Sequence, residues 1–151
     1  MADERPAVDF AVEQPGHDRV KLLVEARNVS APSQEWATRF LRNLFDHADI
    51  PRSDYFLLAL QNHLYLWRHP DREAATPDFE GDTASALQPY LLRLDRPLET
   101  LSQNSFGLLI HAFLYDLVAG TLPEGHELDW LDDSGLAQSV RDGSIRSKIA
   151  A

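Results

Sequence analysis

Asp9, Glu25 and Arg27 are the residues whose types and spacing are best suited to chemistry. They lie in two short alternating stretches, Ala7 to Val12 and Val20 to Arg27, separated by a segment that contains the turn signal Pro15-Gly16. A hairpin is the natural join. With its turn centred on His17, Asp9 falls opposite Glu25 and Phe10 opposite Val24. The even positions Val8, Phe10, Val12, Leu22, Val24 and Ala26 are then all apolar, while the odd ones carry Asp9, Glu13, Lys21, Glu25 and Arg27. Side chains alternate along a strand, so Asp9, Glu25 and Arg27 share one face. Opposed carboxylates repel unless a cation offsets them, and paired carboxylates are what a hard divalent cation such as Mg²⁺ needs. An arginine beside them stays charged at any working pH and can stabilise negative charge on a phosphate.

The rest of the chain must position that hairpin. Strands are expected over 7–13, 20–27, 55–60 and 64–68. The third, Tyr55 to Leu60, is apolar on both faces, as a central strand covered on each side would be. Pro32 and Ser33 open a helix over 33–49 with one continuous apolar face, Trp36, Ala37, Phe40, Leu41, Leu44, Phe45 and Ala48, whose Trp36/Phe40/Leu44 stripe is expected to lie on the sheet. Its polar face carries Arg39 and Arg42, which could meet a phosphate backbone near Arg27 or simply be solvated. Residues 69–83 read as a surface loop, followed by a short helix over 84–94 interrupted by Pro89. Ser102 or Gln103 starts a second long helix that stops at Gly120 and is apolar nearly all round, so it is expected to be sandwiched in the core. Residues 132–142 read as a last short helix. These elements predict one α/β (α+β) domain over 1–151, a four-stranded mixed sheet flanked by helices.

Asp9, followed after the turn by Val24-Glu25-Ala26-Arg27 and then by a helix and an apolar strand, resembles the PD-(D/E)XK nuclease superfamily of restriction-endonuclease-like fold. The wording of Glu35-Trp36-Ala37, Tyr55 to Leu60 and Tyr65-Leu66-Trp67 is similar to that of small uncharacterised members. The resemblance implies a reduced restriction-endonuclease-like core and a nuclease reaction dependent on Mg²⁺ or Mn²⁺, with Asp9 and Glu25 as metal ligands. Arg27 stands at the position where the family has a lysine that places or activates the attacking water. Only eight residues precede Asp9, where the family has a further helix and strand. Either the helix over 103–119 takes that packing place or part of the usual core is missing.

Charge and composition bound these expectations. A net charge of −10 argues against tight nucleic-acid binding by a monomer, because phosphate neutralisation supplies most of that affinity. Weak or no nucleic-acid binding is expected, with a protein partner or a homodimer left open. The acidic run Glu124, Glu127, Asp129, Asp132, Asp133 reads as a solvated loop. No cysteine is present, which excludes disulfides and thiolate zinc sites, and the six histidines show no metal-binding spacing. His111 is expected as a hydrogen-bonded core histidine, and Trp36, Tyr65, Trp67 and Trp130 as packing residues. No stretch is long and apolar enough to span a membrane and the N-terminus has no secretory pattern, so a cytoplasmic protein is expected. Two alternatives stand beside the nuclease reading. One is a solvent-facing hairpin whose Glu25–Arg27 contact is a weak surface pair. The other is an interaction module that kept the fold without the chemistry.

Overall fold

The structure, a computed structural model, describes residues 8–16, 19–123 and 128–148. Alternating apolar residues build the antiparallel hairpin of β1 (Phe10–Glu13) and β2 (Val20–Arg27), with Phe10 opposite Val24 and Val12 opposite Leu22. This is the register expected from the alternation, although His17 itself lies outside the described residues. β1 is shorter than the expected span of 7–13, because the chain bends at Val8 and Asp9 before joining the ladder. A bend breaks the period-two alternation, and Val8 packs with Ala11 and Leu23 rather than with Phe10 and Val12.

Beyond β2 the chain passes through α1 (Gln34–His47) to β3 (Ser53–Leu60), which pairs parallel with β2. Ser33 starts α1, its hydroxyl oxygen accepting the Trp36 N–H. β4 (His63–Arg68) returns antiparallel to β3. The sheet then departs from expectation: it has six strands, ordered β5-β4-β3-β2-β1-β6, instead of four. β5 (Phe79–Asp82) forms inside the segment expected to be loop, and β6 (Ser144–Ser147) pairs antiparallel with β1. Each holds a single large apolar residue, Phe79 or Ile145, so neither has a pattern of its own, and ladder pairing with a neighbour makes them strands.

The sheet is covered on both faces. On one, Phe10, Val12, Leu22, Val24, Leu57 and Leu66 pack beneath α2 (Thr83–Leu94), α3 (Gln103–Ala119), α4 (Asp129–Ser134) and α5 (Leu136–Val140). Pro89 stays inside α2, where burial of Ala86, Leu87 and Tyr90 outweighs the one backbone bond it removes. The expected helix over 132–142 is two short ones, broken at Gly135 with φ of 77°. Of the acidic run, Asp129, Asp132 and Asp133 lie exposed on α4 instead of in a loop, while Glu124 and Glu127 fall outside the described residues. α3 buries only one side, from Phe106 to Val118, and leaves Leu108 and Tyr115 exposed, so it is not sandwiched.

On the other face lies α1. Ala37, Leu41 and Phe45 seat it on Leu23, Phe56 and Leu58, with Trp36, Phe40 and Leu44 only partly buried alongside. The contact thus falls within the expected apolar face, but along its Ala37/Leu41/Phe45 side rather than its Trp36/Phe40/Leu44 stripe. Small Ala37 and Thr38 side chains let the helix settle on that side. Tyr65, Trp67 and Trp130 are buried as packing residues, in line with expectation. No helix among the described residues is long and apolar enough to cross a membrane.

Candidate functional site

The site grows from a mismatch in strand length. β1 enters the sheet only at Phe10, whereas β2 runs on to Arg27. Backbone groups of β2 beyond Val24 on that side therefore have no strand to pair with, and buried N–H and C=O groups need partners. Side chains supply them. The Ala26 N–H donates to Asp9 Oδ2 at 2.7 Å, and the Ala26 carbonyl accepts from Gln103 Nε2 at 2.9 Å. Gln103 Oε1 also accepts the Asn28 N–H at 2.8 Å, so one amide at the start of α3 clamps the backbone on both sides of Arg27. Ser102 caps the helix, which frees Gln103 for this work.

Asp9 and Glu25 meet just past the end of the paired register, where Asp9 sits in the bend before β1 beside Glu25 of β2. Asp9 donates its backbone N–H to Glu25 Oε1 at 3.2 Å. Glu25 is 1% exposed and Asp9 6%, both well below what carboxylates ordinarily show. Burial pushes the Glu25 carboxyl above its ordinary range, and the Asp9 charge pushes it further, against the opposing pull of Arg27.

One oxygen of each carboxylate is thus held by a backbone N–H, and the other faces a side-chain cation. Arg27 donates through Nε at 3.0 Å and Nη2 at 2.7 Å to Glu25 Oε2. Its guanidinium carbon also lies 5.8 Å from the centre of the Phe40 ring, within range of a cation–π contact. Lys148, just past the end of β6, places Nζ 3.3 Å from Asp9 Oδ1. Two acids and two bases make a compensated cluster, and the bases are the accessible half: the Arg27 side chain is 48% exposed and that of Lys148 37%.

The structure therefore brings Asp9, Glu25 and Arg27 together. Asp9 and Glu25 are buried there, and Arg27 is the solvent-facing member. Arg39 lines a shallow 350 Å³ hollow with Trp36, Phe40 and Asn43. Arg42 is turned away, its Nε donating to the Ala74 carbonyl at 2.8 Å. His111 packs its ring 5.5 Å from that of Phe10, on the opposite side of the sheet from the carboxylates. Lys148 and Gln103 are the residues that sequence spacing missed. Gln103 carries the helix-start signal that also disguised it, and Lys148 has no local signal at all.

Among the described residues no group of three or more His, Asp or Glu side chains stands together as a metal cluster, so a cation here would have two carboxylates from the protein. No family model, curated protein or solved structure matches the chain.

Proposed function

We propose that the Asp9/Glu25/Arg27 cluster is a divalent-cation site for phosphodiester hydrolysis, on a reduced restriction-endonuclease-like core. The observation that carries this reading is the pairing of two nearly inaccessible carboxylates on one sheet face, each with one oxygen fixed by a backbone N–H. Buried like charges are unfavourable, and such pairs concentrate at functional sites. The donor set fits the ion: Mg²⁺ and Mn²⁺ prefer oxygen ligands and commonly take one or two carboxylates, completing their shell with water and substrate phosphate. Asp9 Oδ1 and Glu25 Oε2 are the oxygens left for it, since only half-exposed side-chain cations engage them.

A bound Mg²⁺ or Mn²⁺ would supply a more acidic water and a polarised phosphoryl oxygen. Arg27 would stabilise charge on the phosphate, but a guanidinium cannot carry a proton away from water at neutral pH. Cleavage is accordingly expected to be slow in the parent and to rise in Arg27→Lys. The test is Mn²⁺-dependent nicking of supercoiled plasmid by both proteins, with Asp9→Asn and Glu25→Gln introduced into each. Nicking that appears in Arg27→Lys and vanishes with either carboxylate variant supports the site. Nicking that survives both would remove it.

The second reading, an interaction module without chemistry, is favoured by the same compensation. Every carboxylate oxygen of the pair already has a partner within the chain. Leu92, Leu108 and Tyr115, on the helices of the other face, are 73%, 51% and 62% exposed and are the residues a partner would cover. A chain that shows no divalent-cation response, yet self-associates in sedimentation through Leu108 and Tyr115, would favour this reading.

A further inference from the structure

Lys148 is held opposite Asp9 by backbone as well as by charge. β6 pairs antiparallel with β1, Phe10 facing Ser147 and Val12 facing Ile145. The next step of that ladder is the Lys148 N–H, which donates to the Asp9 carbonyl at 3.2 Å. Asp9 thus lies between two cross-strand neighbours, Glu25 on the β2 side and Lys148 on the β6 side, and it touches both. A row of ammonium, carboxylate and carboxylate runs from the residue after β6, through the bend before β1, to β2, with the Arg27 guanidinium closing its far end.

The two cations are not equivalent. Arg27 makes two N–H bonds to one oxygen and is braced by Phe40. A planar, pre-organised fork of that kind gives up its partner reluctantly. Lys148 makes a single contact from a flexible stem, and its ammonium is a compact charge that water solvates well. Among the described residues, Lys148 is the one side-chain cation on Asp9 Oδ1, while Oδ2 is held by the Ala26 N–H.

We propose that Lys148 is a fourth member of the site, a tethered counter-cation that occupies Asp9 Oδ1 and that a divalent ion must displace to bind. The inference rests on the divalent-cation reading above and adds to it the point of entry: the ion comes in at Asp9 Oδ1, Lys148 swings out to solvent, and Arg27 keeps one of its two bonds to Glu25 Oε2 while the ion shares that oxygen. A second consequence is that the far end of the chain sets the affinity of a site built by its beginning. Substituting Lys148 should leave the fold intact, because its side chain is 37% exposed and its backbone bond to Asp9 does not depend on the side chain.

The experiment is Mn²⁺ titration of the full chain, followed by the loss of the free-ion electron paramagnetic resonance signal at neutral pH and about 0.15 M salt. Parent, Lys148→Gln, Lys148→Arg and Asp9→Asn are compared, with a thermal melt of each as a check on folding. Removing a positive charge from contact with the ligand oxygen should tighten Mn²⁺ binding by about tenfold or more in Lys148→Gln. Lys148→Arg should bind no more tightly than the parent, and Asp9→Asn should lose binding. A structural ion pair alone would shift the melt without moving the affinity. Parent and Lys148→Gln binding Mn²⁺ equally would overturn the role of Lys148 and leave the site standing. Absence of binding in parent and both Lys148 variants, with melts intact, would overturn the site and this inference together.

Discussion

The two faces of β2 are built from one strand and solve different problems. Leu22, Val24 and Ala26 are fully buried against the helices of the α3 side, in a cluster with no charged side chain. Leu23 does the same on the α1 side, but its neighbours along that face are Lys21, Glu25 and Arg27. The first face is a hydrophobic surface whose stability grows with the area it removes from water. The second accepts two buried carboxylates, each needing a backbone N–H and a side-chain cation to be tolerated there. The apolar face holds the strand in place, whereas the polar face satisfies the unpaired end of β2 with carboxylates, which then need cations of their own.

The largest effect should come from the apolar face. Phe113→Ala removes a ring that is 1% exposed and should cost about 3–5 kcal/mol, read as a lower midpoint in urea denaturation. A loss below about 1 kcal/mol would mean that the α3 side is not the structural half. On the polar face, Asp9→Ala leaves the Ala26 N–H without its acceptor and should cost about 1–3 kcal/mol in the same measurement.

The pH dependence separates the faces further. The folded state raises the Glu25 carboxyl above its ordinary value near 4.5, mainly by burial, so the fold prefers that group protonated. Its contribution is therefore favourable below pH 4.5 and is lost as pH rises through the raised value. Glu25→Gln should remove this decline, so the stability difference between variant and parent should drift in favour of the variant as pH rises across that window. A difference that stays flat with pH would show that the raised carboxyl is not at Glu25. The smallest effect is expected at the opposite end of β2, where Arg19 bridges Asp54 at 2.6 Å with its side chain 64% exposed. Arg19→Ala should change stability by less than about 1 kcal/mol.

How much of this was legible in the sequence follows the same division. The hairpin register could be read because apolar even positions and charged odd positions leave only one alignment that buries one set. The observed ladder keeps that alignment from Phe10 to Val12, and Asp9 reaches Glu25 one residue beyond it, from the bend. The apolar face of α1 is legible from its helical spacing, but which stripe of it meets the sheet is not: both Trp36/Phe40/Leu44 and Ala37/Leu41/Phe45 fit the period, and the second makes the closer approach. β5 and β6 were invisible because their strandedness comes from pairing. Glu80, Gly81 and Asp82 carry no apolar signal, and Gly81 is needed only because Trp130 packs against it, where a Cβ would lie 2.3 Å from the indole nitrogen. Missing β6 meant missing Lys148, since no local spacing links a residue near the end of the chain to Asp9. Gln103 was read as a helix start, which it is, while its side chain was free to hold β2.

The proposed site requires Asp9 and Glu25 to bind a divalent cation together in the folded protein. A thermal melt of parent, Asp9→Asn and Glu25→Gln, each with and without millimolar Mn²⁺, tests it without any knowledge of substrate. An ion bound only by the folded state at about a hundred times its Kd stabilises it by about 2.7 kcal/mol, which for a chain of 151 residues raises Tm by several degrees. The account predicts that rise in the parent and its loss in both variants. A parent whose Tm is indifferent to Mn²⁺, or a Glu25→Gln variant that responds as the parent does, would contradict it.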